Sequence, residues 1–225
     1  MNTHSKSSKG RKALIAGATG AVGAVLLKLL NESERYSEIH CIGRRAPTLS
    51  DRKINSHIVE FEELDQLDLA QPIDDVFCTI GTTIRAAGSV QQFKKVDRDY
   101  VYQIGKLAER LHVETCSVIS AIGANAESSN YYSQTKGEAE DLLQSLDLNS
   151  LRIFRPSLLR GNRDEFRLKE TMGFIGLTVL TPLLQGSWKK YRPIRVDQVA
   201  KALIESGRNS YPAVKIFESD EIQDL

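Results

Sequence analysis

The stretch YYSQTKGEAE places Tyr132 four positions before Lys136. On an α-helix these two positions share one face. A phenol, with a pKa of about 10, is a poor acid at neutral pH, but a neighbouring ammonium stabilises the phenolate and lowers that pKa. Tyr132 is therefore a candidate proton donor to a carbonyl oxygen, with Lys136 tuning its acidity. An incidental pair on an exposed helix is the alternative. Tyr131, five positions before the lysine, is predicted to face elsewhere.

A serine closes the apolar run that precedes this stretch. Ser120 follows Val118 and Ile119 at the predicted end of a strand. Open α/β sheets bind their ligands at the carboxyl ends of strands. Ser120 is therefore predicted to donate a hydrogen bond to a substrate carbonyl. A cap on a turn or helix is the alternative role, and Ser117, earlier in the strand, is a weaker candidate donor.

Three glycines in GATGAVG, residues 17–23, follow the apolar run at 13–16 and open a helical pattern. Gly17 permits a turn that a Cβ would obstruct, Gly20 lets the backbone approach a diphosphate, and Gly23 lets the helix pack against the strand. The helix N-terminus then offers N–H groups and the positive end of its dipole to an anion. A glycine-rich turn without a ligand is the alternative, but the position at the first strand-to-helix junction favours dinucleotide binding.

Two arginines, Arg44 and Arg45, follow the second apolar run in CIGRR. Proteins selective for NAD usually carry an acid there, which binds the ribose hydroxyl. Arginine instead binds phosphate through paired hydrogen bonds. The sequence therefore predicts NADPH in preference to NADH, with a solvated arginine pair as the alternative.

The elements that must position these residues alternate along the chain. Predicted strands cover residues 12–16, 39–42, 56–61, 75–80, 115–120, 150–154 and 214–217. Predicted helices cover residues 21–31, 90–111, 131–146 and 195–205. This alternation predicts an α/β fold, a Rossmann-like doubly wound parallel sheet with helices on both faces. Residues 1–11 are interpreted as a disordered tail and residues 12–225 as a single NAD(P)-binding domain. Within that domain, residues 160–192 would form a small C-terminal lobe over the substrate cleft.

The composition excludes several classes of protein. The chain has 225 residues, a formal net charge of +1, 41% hydrophobic and 26% charged residues, which is typical of a globular domain and gives no whole-chain signal for nucleic-acid binding. The polar N-terminal stretch lacks the apolar core of a secretory signal, and the longest apolar stretch, residues 172–184, is too short to span a bilayer. We therefore expect a cytoplasmic protein with no membrane association.

Cysteine and histidine show no metal pattern. Cys41, Cys78 and Cys116 are too widely spaced for a disulfide framework or a zinc motif and are interpreted as buried reduced thiols, with a reactive thiol as the alternative. The histidines are scattered, so no metal site is predicted. The run at 188–192, WKKYR, is interpreted as a surface loop over the cleft, with a clasp for an anionic substrate or partner as the alternative.

Several of these stretches together resemble a known family. They are GATGAVG, FCTIGTTIRAAGS, FKKVDRDYV, VISAIGA, YYSQTKGEAE and FRPSLLRG, with RVDQVAKAL as a late helix. The chain resembles an atypical, extended short-chain dehydrogenase/reductase. It is most similar to the HIV Tat-interacting-protein-type oxidoreductases and their small bacterial relatives. The resemblance covers about two-thirds of the chain and is specific for fold and cofactor rather than for substrate.

The resemblance implies roles for the residues at matching positions. The diphosphate loop would comprise Gly17, Thr19, Gly20, Ala21, Val22 and Gly23. Arg44 and Arg45 would bind the 2′-phosphate, and Phe61 would lie near the adenine. The ribose and nicotinamide would meet Gly81, Thr82, Thr83, Lys136, Pro156, Ser157 and Leu158. The catalytic triad would comprise Ser120, Tyr132 and Lys136.

One position departs from the family pattern. Many members carry an asparagine where this chain has Asp97, and a carboxylate cannot replace the amide as a donor. A proton relay through that asparagine is therefore in doubt.

Two functions remain open at this point. The first is an NADPH-dependent reductase of a small carbonyl compound. The second is a non-catalytic NADP(H)-binding redox sensor that acts through a protein partner, as the resemblance implies for some relatives. No nucleic-acid partner is expected, and the sequence leaves a homodimer or a regulatory partner open.

Overall fold

The computed structural model describes residues 10–69, 72–160 and 186–225. A seven-stranded, entirely parallel sheet forms its centre, in the order β3-β2-β1-β4-β5-β6-β9. Its strands are β1 Arg11–Ala16, β2 Tyr36–Gly43, β3 Ile54–Ile58, β4 Asp75–Cys78, β5 Thr115–Ile119, β6 Leu151–Arg155 and β9 Val214–Glu218. A separate parallel pair comprises β7 Leu159–Arg160 and β8 Ile194–Arg195. The predicted α/β, doubly wound parallel fold is confirmed.

Helices connect these strands. They are α1 Ala21–Glu32, α2 Ile84–Ala87, α3 Val90–Lys94, α4 Val101–Arg110, α5 Tyr131–Gln144, α6 Val196–Ser206 and α7 Ser219–Gln223. A π-helical turn, Lys95–Tyr100, joins α3 to α4, and 3₁₀ turns cover Phe61–Gln66 and Gly186–Tyr191.

Side chains of the central strands alternate between two buried cores. Leu14 of β1 packs on one face with Ile104 of α4 and Leu143 of α5. Its neighbour Ile15 packs on the other face with Leu26 of α1, in a core that also includes α6. Because β1 is apolar on both faces, it lies inside the sheet between two layers of helices. The loop that connects β1 to α1 therefore starts between these layers.

Two predicted elements differ from the structure. The third strand is Ile54–Ile58 rather than residues 56–61, because Phe61 begins a 3₁₀ turn. This edge strand is mostly exposed and polar, so its hydrophobicity pattern gave only a weak strand signal. The single helix predicted over residues 90–111 is interrupted by the π-helical turn.

Other predictions fall outside the described part of the chain. Residues 1–9 of the predicted tail and residues 161–185 of the predicted lobe lie outside the described residues. Across the helices that the structure describes, none combines the length and the apolar character needed to span a bilayer.

Candidate functional site

The loop between β1 and α1 can be made only with glycine at two of its positions. Gly17 has φ +93°, and a Cβ there would lie 2.8 Å from the carbonyl carbon and the hydroxyl of Thr79. A Cβ at Gly23 would overlap the carbonyl oxygen of Gly17. The Gly20 N–H donates to that same oxygen over 2.9 Å. The loop is therefore closed tightly against the end of β4.

The first turn of α1 suits an anion. Gly20 precedes the helix and offers no side-chain cap, and the first turn contains no acidic residue. Its N–H groups and positive dipole end are therefore not satisfied by a local carboxylate. Phosphate groups bind such helix ends in dinucleotide-binding folds.

A cavity of about 520 Å³ opens at the carboxyl ends of β1, β2 and β4. Many of the predicted cofactor residues line it, namely Gly17, Thr19, Gly20, Arg44, Arg45, Phe61, Gly81 and Thr82. Strand order reverses between β1 and β4, which is where ligands bind in doubly wound sheets. A dinucleotide therefore fits the chemistry of this cavity: a glycine cradle for phosphates and two guanidinium groups at one side.

The remaining predicted cofactor residues do not line this cavity. They are Ala21, Val22, Gly23, Thr83, Lys136, Pro156, Ser157 and Leu158. The Thr83 hydroxyl oxygen accepts from Ala86 N–H as the cap of α2. Ser157 donates to the carbonyl of Arg192, and Leu158 accepts from Ile194 N–H, so both join β6 to the segment around β8. Cofactor roles for these residues stay predictions.

Sequence reasoning missed an aromatic and ionic cluster at the edge of the cavity. Tyr100 stacks on Phe61 with ring centroids 5.0 Å apart. Its hydroxyl donates to Glu62 over 2.7 Å, and Lys95 forms an ion pair with the same carboxylate at 2.5 Å. These contacts hold the pKa of Glu62 at about 2. Lys95 and Tyr100 both line the cavity and lie in the stretch FKKVDRDYV, on either side of Asp97.

Lys136 does not line the cavity but lies close to Gly81, which does. A Cβ on Gly81 would be 4.0 Å from its Nζ atom. Lys136 is 5% exposed and forms an ion pair of 2.7 Å with Asp97, which is 1% exposed. The second carboxylate oxygen of Asp97 accepts from Thr82 N–H over 2.8 Å. Asp97, the residue that departs from the family pattern, therefore contacts two residues of the candidate site.

Tyr132 lies one helical turn before Lys136, near the start of α5. It is half-buried and stacks on Phe93 with centroids 5.5 Å apart. Asn130 caps the helix here, because its side-chain oxygen accepts from the N–H groups of Tyr132 and Ser133. Tyr131 is 59% exposed, so the two tyrosines face different surroundings as predicted.

The expectation that the pKa of Tyr132 is lowered is wrong, because the pKa is raised. Burial raises the pKa of the phenol, Lys136 opposes this, Asp97 adds to it, and the net pKa lies above the ordinary value. Burial alone would lower the pKa of Lys136, but the Asp97 carboxylate raises it to about 12. Lys136 therefore keeps its charge, and the Asp97 carboxylate opposes the effect of that charge on Tyr132.

The Ser120 hydroxyl donates its single proton to Glu140. Arg155 binds that carboxylate through a contact of 2.5 Å and also reaches Glu218 at 3.1 Å. Donation from Ser120 to a substrate carbonyl would require the hydroxyl to rotate away from Glu140. Ser117 is fully buried within β5.

The three cysteines are buried free thiols, as interpreted from the sequence. Burial raises the pKa of Cys41 to about 12 and that of Cys78 to about 11, and it also raises the pKa of Cys116. Since the thiolate is the reactive form, this environment disfavours the reactive-thiol alternative.

The histidines are less scattered than their spacing indicated. His40 and His57 lie on neighbouring strands with ring nitrogens 2.9 Å apart. Within residues 10–69, 72–160 and 186–225, no three His, Cys, Asp or Glu side chains are grouped as metal ligands.

In the WKKYR run, Trp188 is 63% exposed and Lys189 forms an ion pair of 3.1 Å with Asp224. The run therefore lies at the surface.

Comparisons with known proteins agree with this geometry. Protein FMP52-1, mitochondrial, from Scheffersomyces stipitis is 33% identical over 95% of this chain and 97% of its own. Protein HTATIP2 from Rattus norvegicus is 34% identical over 88% of this chain and 81% of its own. The enzyme WbmH of Bordetella bronchiseptica, solved with NAD⁺, superposes with a TM-score of 0.69 at 15% identity, over 93% of this chain and 76% of its own. That last likeness shows the fold alone.

The names of the relatives bear on localisation. The FMP52 proteins of Scheffersomyces stipitis, Meyerozyma guilliermondii and Candida albicans are all named mitochondrial. The expectation of a cytoplasmic protein, which rested on composition and the polar N-terminal stretch, is therefore wrong.

A family model described as NAD(P)H-binding matches residues 17–179, which begin at the first glycine of the loop and run past Lys136. The family expected from the sequence motifs is thereby confirmed. The chain belongs to the NAD(P)H-binding family and is a relative of HTATIP2 and the FMP52 proteins.

Proposed function

We propose that the protein is an oxidoreductase that uses NADPH in preference to NADH and reduces a small carbonyl compound by hydride transfer, with Tyr132 as the proton donor. The observation that carries this proposal is the position of Lys136 relative to the cavity. Its Nζ atom lies close to Gly81, which lines the cavity, and Tyr132 precedes Lys136 by one turn of the same helix.

Support for the cofactor comes from the two ends of the cavity. The Gly17–Gly23 loop and the start of α1 suit a diphosphate. Arg44 and Arg45 are exposed side chains at the cavity margin, where a 2′-phosphate could accept paired hydrogen bonds. Among the described residues that line the cavity, none is an acid of the kind that holds the ribose hydroxyl in NAD-selective proteins.

The roles of the protein side chains follow from this placement. When bound, reduced nicotinamide supplies the hydride. Lys136 would hold the ribose hydroxyls, and Tyr132 would give its phenolic proton to the carbonyl oxygen. Ser120 would orient that carbonyl once its hydroxyl had turned from Glu140.

A second candidate function is a non-catalytic NADP(H)-binding regulator that acts through a protein partner. The observation that favours it is the internal pairing of two triad members. Ser120 donates to Glu140, and Lys136 is paired with Asp97. A sensor needs only the cavity and not a free proton donor.

Tyr132→Phe separates these functions. General acid catalysis contributes about 10²–10⁴-fold, so we expect NADPH-dependent reduction of a small aldehyde or ketone to fall by about 100-fold or more, with NADPH affinity unchanged. Tyr131→Phe, which alters the adjacent exposed tyrosine, is the matched control and should leave turnover unchanged. The measurement is the loss of NADPH absorbance with a panel of small carbonyl compounds.

The proposal is contradicted if Tyr132→Phe turns over its substrate at the wild-type rate. If the wild-type protein binds NADPH but reduces no member of the panel, the regulator becomes the better account.

A further inference from the structure

Asp97 occupies an unusual place in the backbone. It lies in the π-helical turn Lys95–Tyr100, where the residues between α3 and α4 depart from regular α-helical geometry. Such turns are rare and frequently occur at functional sites. Asp97 is also almost fully buried, and a carboxylate is buried at a large desolvation penalty unless it is paired.

Both carboxylate oxygens of Asp97 contact parts of the candidate site. Oδ1 lies 2.7 Å from Lys136 Nζ on α5. Oδ2 accepts from the N–H of Thr82, which lines the cavity. Asp97 thereby ties the π-helical turn to the cavity wall and to the helix that carries Tyr132.

Among the described residues, the titratable groups that interact with Tyr132 and Lys136 are Asp97 and Cys78. Tyr132 interacts with Lys136 and Asp97, and Lys136 interacts with Asp97, Tyr132 and the neutral thiol of Cys78. Asp97 is the negative charge in this group. A negative charge stabilises the protonated form of both a phenol and an ammonium.

We propose that Asp97 is a positioning residue that keeps both protons of the Tyr132–Lys136 pair bound, so that the site can donate a proton up to alkaline pH. This inference rests on the proposed reductase function for its meaning in catalysis. The Asp97–Lys136 ion pair and the four-residue helical spacing of Tyr132 and Lys136 do not depend on that function.

The proposed step transfers one hydride and one proton to the carbonyl group. The reduced nicotinamide would supply the hydride that forms the new C–H bond at the carbonyl carbon, and the carbonyl π-electron pair would move to oxygen. The O–H bond of Tyr132 breaks, and its proton forms the hydroxyl of the product alcohol. The phenolate left behind must regain a proton from water before the next turnover, and Asp97 favours that recovery.

Asp97→Asn tests the proposal directly, because the amide oxygen can still accept from Thr82 N–H while the charge is lost. Tyrosine labelled with ¹³C at Cζ reports phenol ionisation by NMR, ¹³Cε-lysine reports Lys136, and Tyr132→Phe and Lys136→Met assign the two signals. In the wild-type protein we expect Tyr132 to titrate above about 10, its ordinary value. In Asp97→Asn, the first proton to leave the pair should do so about one pH unit lower or more.

Asp99→Asn is the matched control. Asp99 lies in the same turn, but it pairs with Arg98 at 2.7 Å and is half exposed. Its substitution should leave both titrations unchanged. An equal effect of the two substitutions, or no effect of Asp97→Asn, overturns the proposal.

The wild-type titration keeps the proposal falsifiable if Asp97→Asn fails to fold, since a Tyr132 midpoint below about 10 would contradict it. In the catalytic assay, the alkaline limb of kcat/KM for carbonyl reduction should move about one pH unit lower in Asp97→Asn. If the protein reduces carbonyls but Asp97→Asn leaves the titration unchanged, the role of Asp97 is refuted and the reductase function is not. A wild-type protein without turnover refutes the reductase and leaves the titration as the test of Asp97.

Discussion

Arg44 and Arg45 are the side chains that would distinguish the two nicotinamide cofactors at the residue scale. Both are exposed at the margin of the cavity that the glycine loop closes. A guanidinium binds a phosphate dianion with two hydrogen bonds, whereas a ribose hydroxyl offers it much less. On the proposed function, selectivity for NADPH would depend on these solvent-facing contacts rather than on the shape of the cavity.

Arg44→Ala should weaken NADPH binding by about 10-fold to 100-fold, because a charge-assisted hydrogen bond contributes about 1.5–3 kcal/mol. NADH binding should change little. Fluorescence titration with each cofactor measures the two dissociation constants. Arg52→Ala is the control, since Arg52 is an exposed arginine that does not line the cavity. Equal losses of affinity for NADPH and NADH would show that Arg44 does not bind the 2′-phosphate.

Local spacing predicted that Tyr132 and Lys136 share one face of a helix but not how the candidate site residues are paired. Tyr132 and Lys136 were found because a four-residue spacing defines one helical face. The Asp97–Lys136 ion pair joins residues 39 positions apart along the chain, and Ser120 meets Glu140 across 20. Such contacts depend on how strands and helices pack. The raised pKa of Tyr132 could therefore not be predicted from the sequence.

At the scale of elements, the β1–α1 loop depends on backbone freedom more than on side-chain chemistry. Gly17 has a positive φ, and a Cβ there would lie 2.8 Å from Thr79, so both its conformation and its space are restricted. Gly123 also has a positive φ of 76°, but a Cβ there would meet nothing within 4 Å. Substitution of Gly123 therefore introduces backbone strain alone, whereas substitution of Gly17 introduces backbone strain and steric overlap.

Gly17→Ala should abolish stabilisation by NADPH and lower the free energy of unfolding more than Gly123→Ala does. A non-glycine residue in a left-handed conformation costs about 1–3 kcal/mol, and only Gly17→Ala adds a clash with the end of β4. Urea denaturation with and without NADPH measures both effects. Similar losses in the two variants, with NADPH binding kept, would contradict the assigned role of the loop.

Elements were predictable where their burial was uniform. The central strands β1 and β4 are apolar on both faces and were found within one or two residues of their ends. The edge strand β3 was misplaced because its sequence INSHI alternates weakly and is mostly exposed. The four-residue helix α2 is shorter than two turns, so it has no periodicity to detect.

At the scale of the whole molecule, the order of the strands places the site. Helices cover both faces of the sheet, and the order reverses between β1 and β4. The glycine loop, the arginines after β2 and the Gly81–Thr82 segment after β4 therefore meet at one edge. The alternation of strands and helices was sufficient to predict this convergence.

The central claim is that this edge binds NADPH, and thermal unfolding with NADPH or NADH tests it most directly. A ligand at 100 times its dissociation constant adds about 2.7 kcal/mol to the stability of the folded state. At about 2–4 °C per kcal/mol for a chain of this size, the midpoint should rise by about 5–11 °C. We predict that rise with NADPH and a clearly smaller one with NADH at the same concentration. No rise with either cofactor would contradict the account.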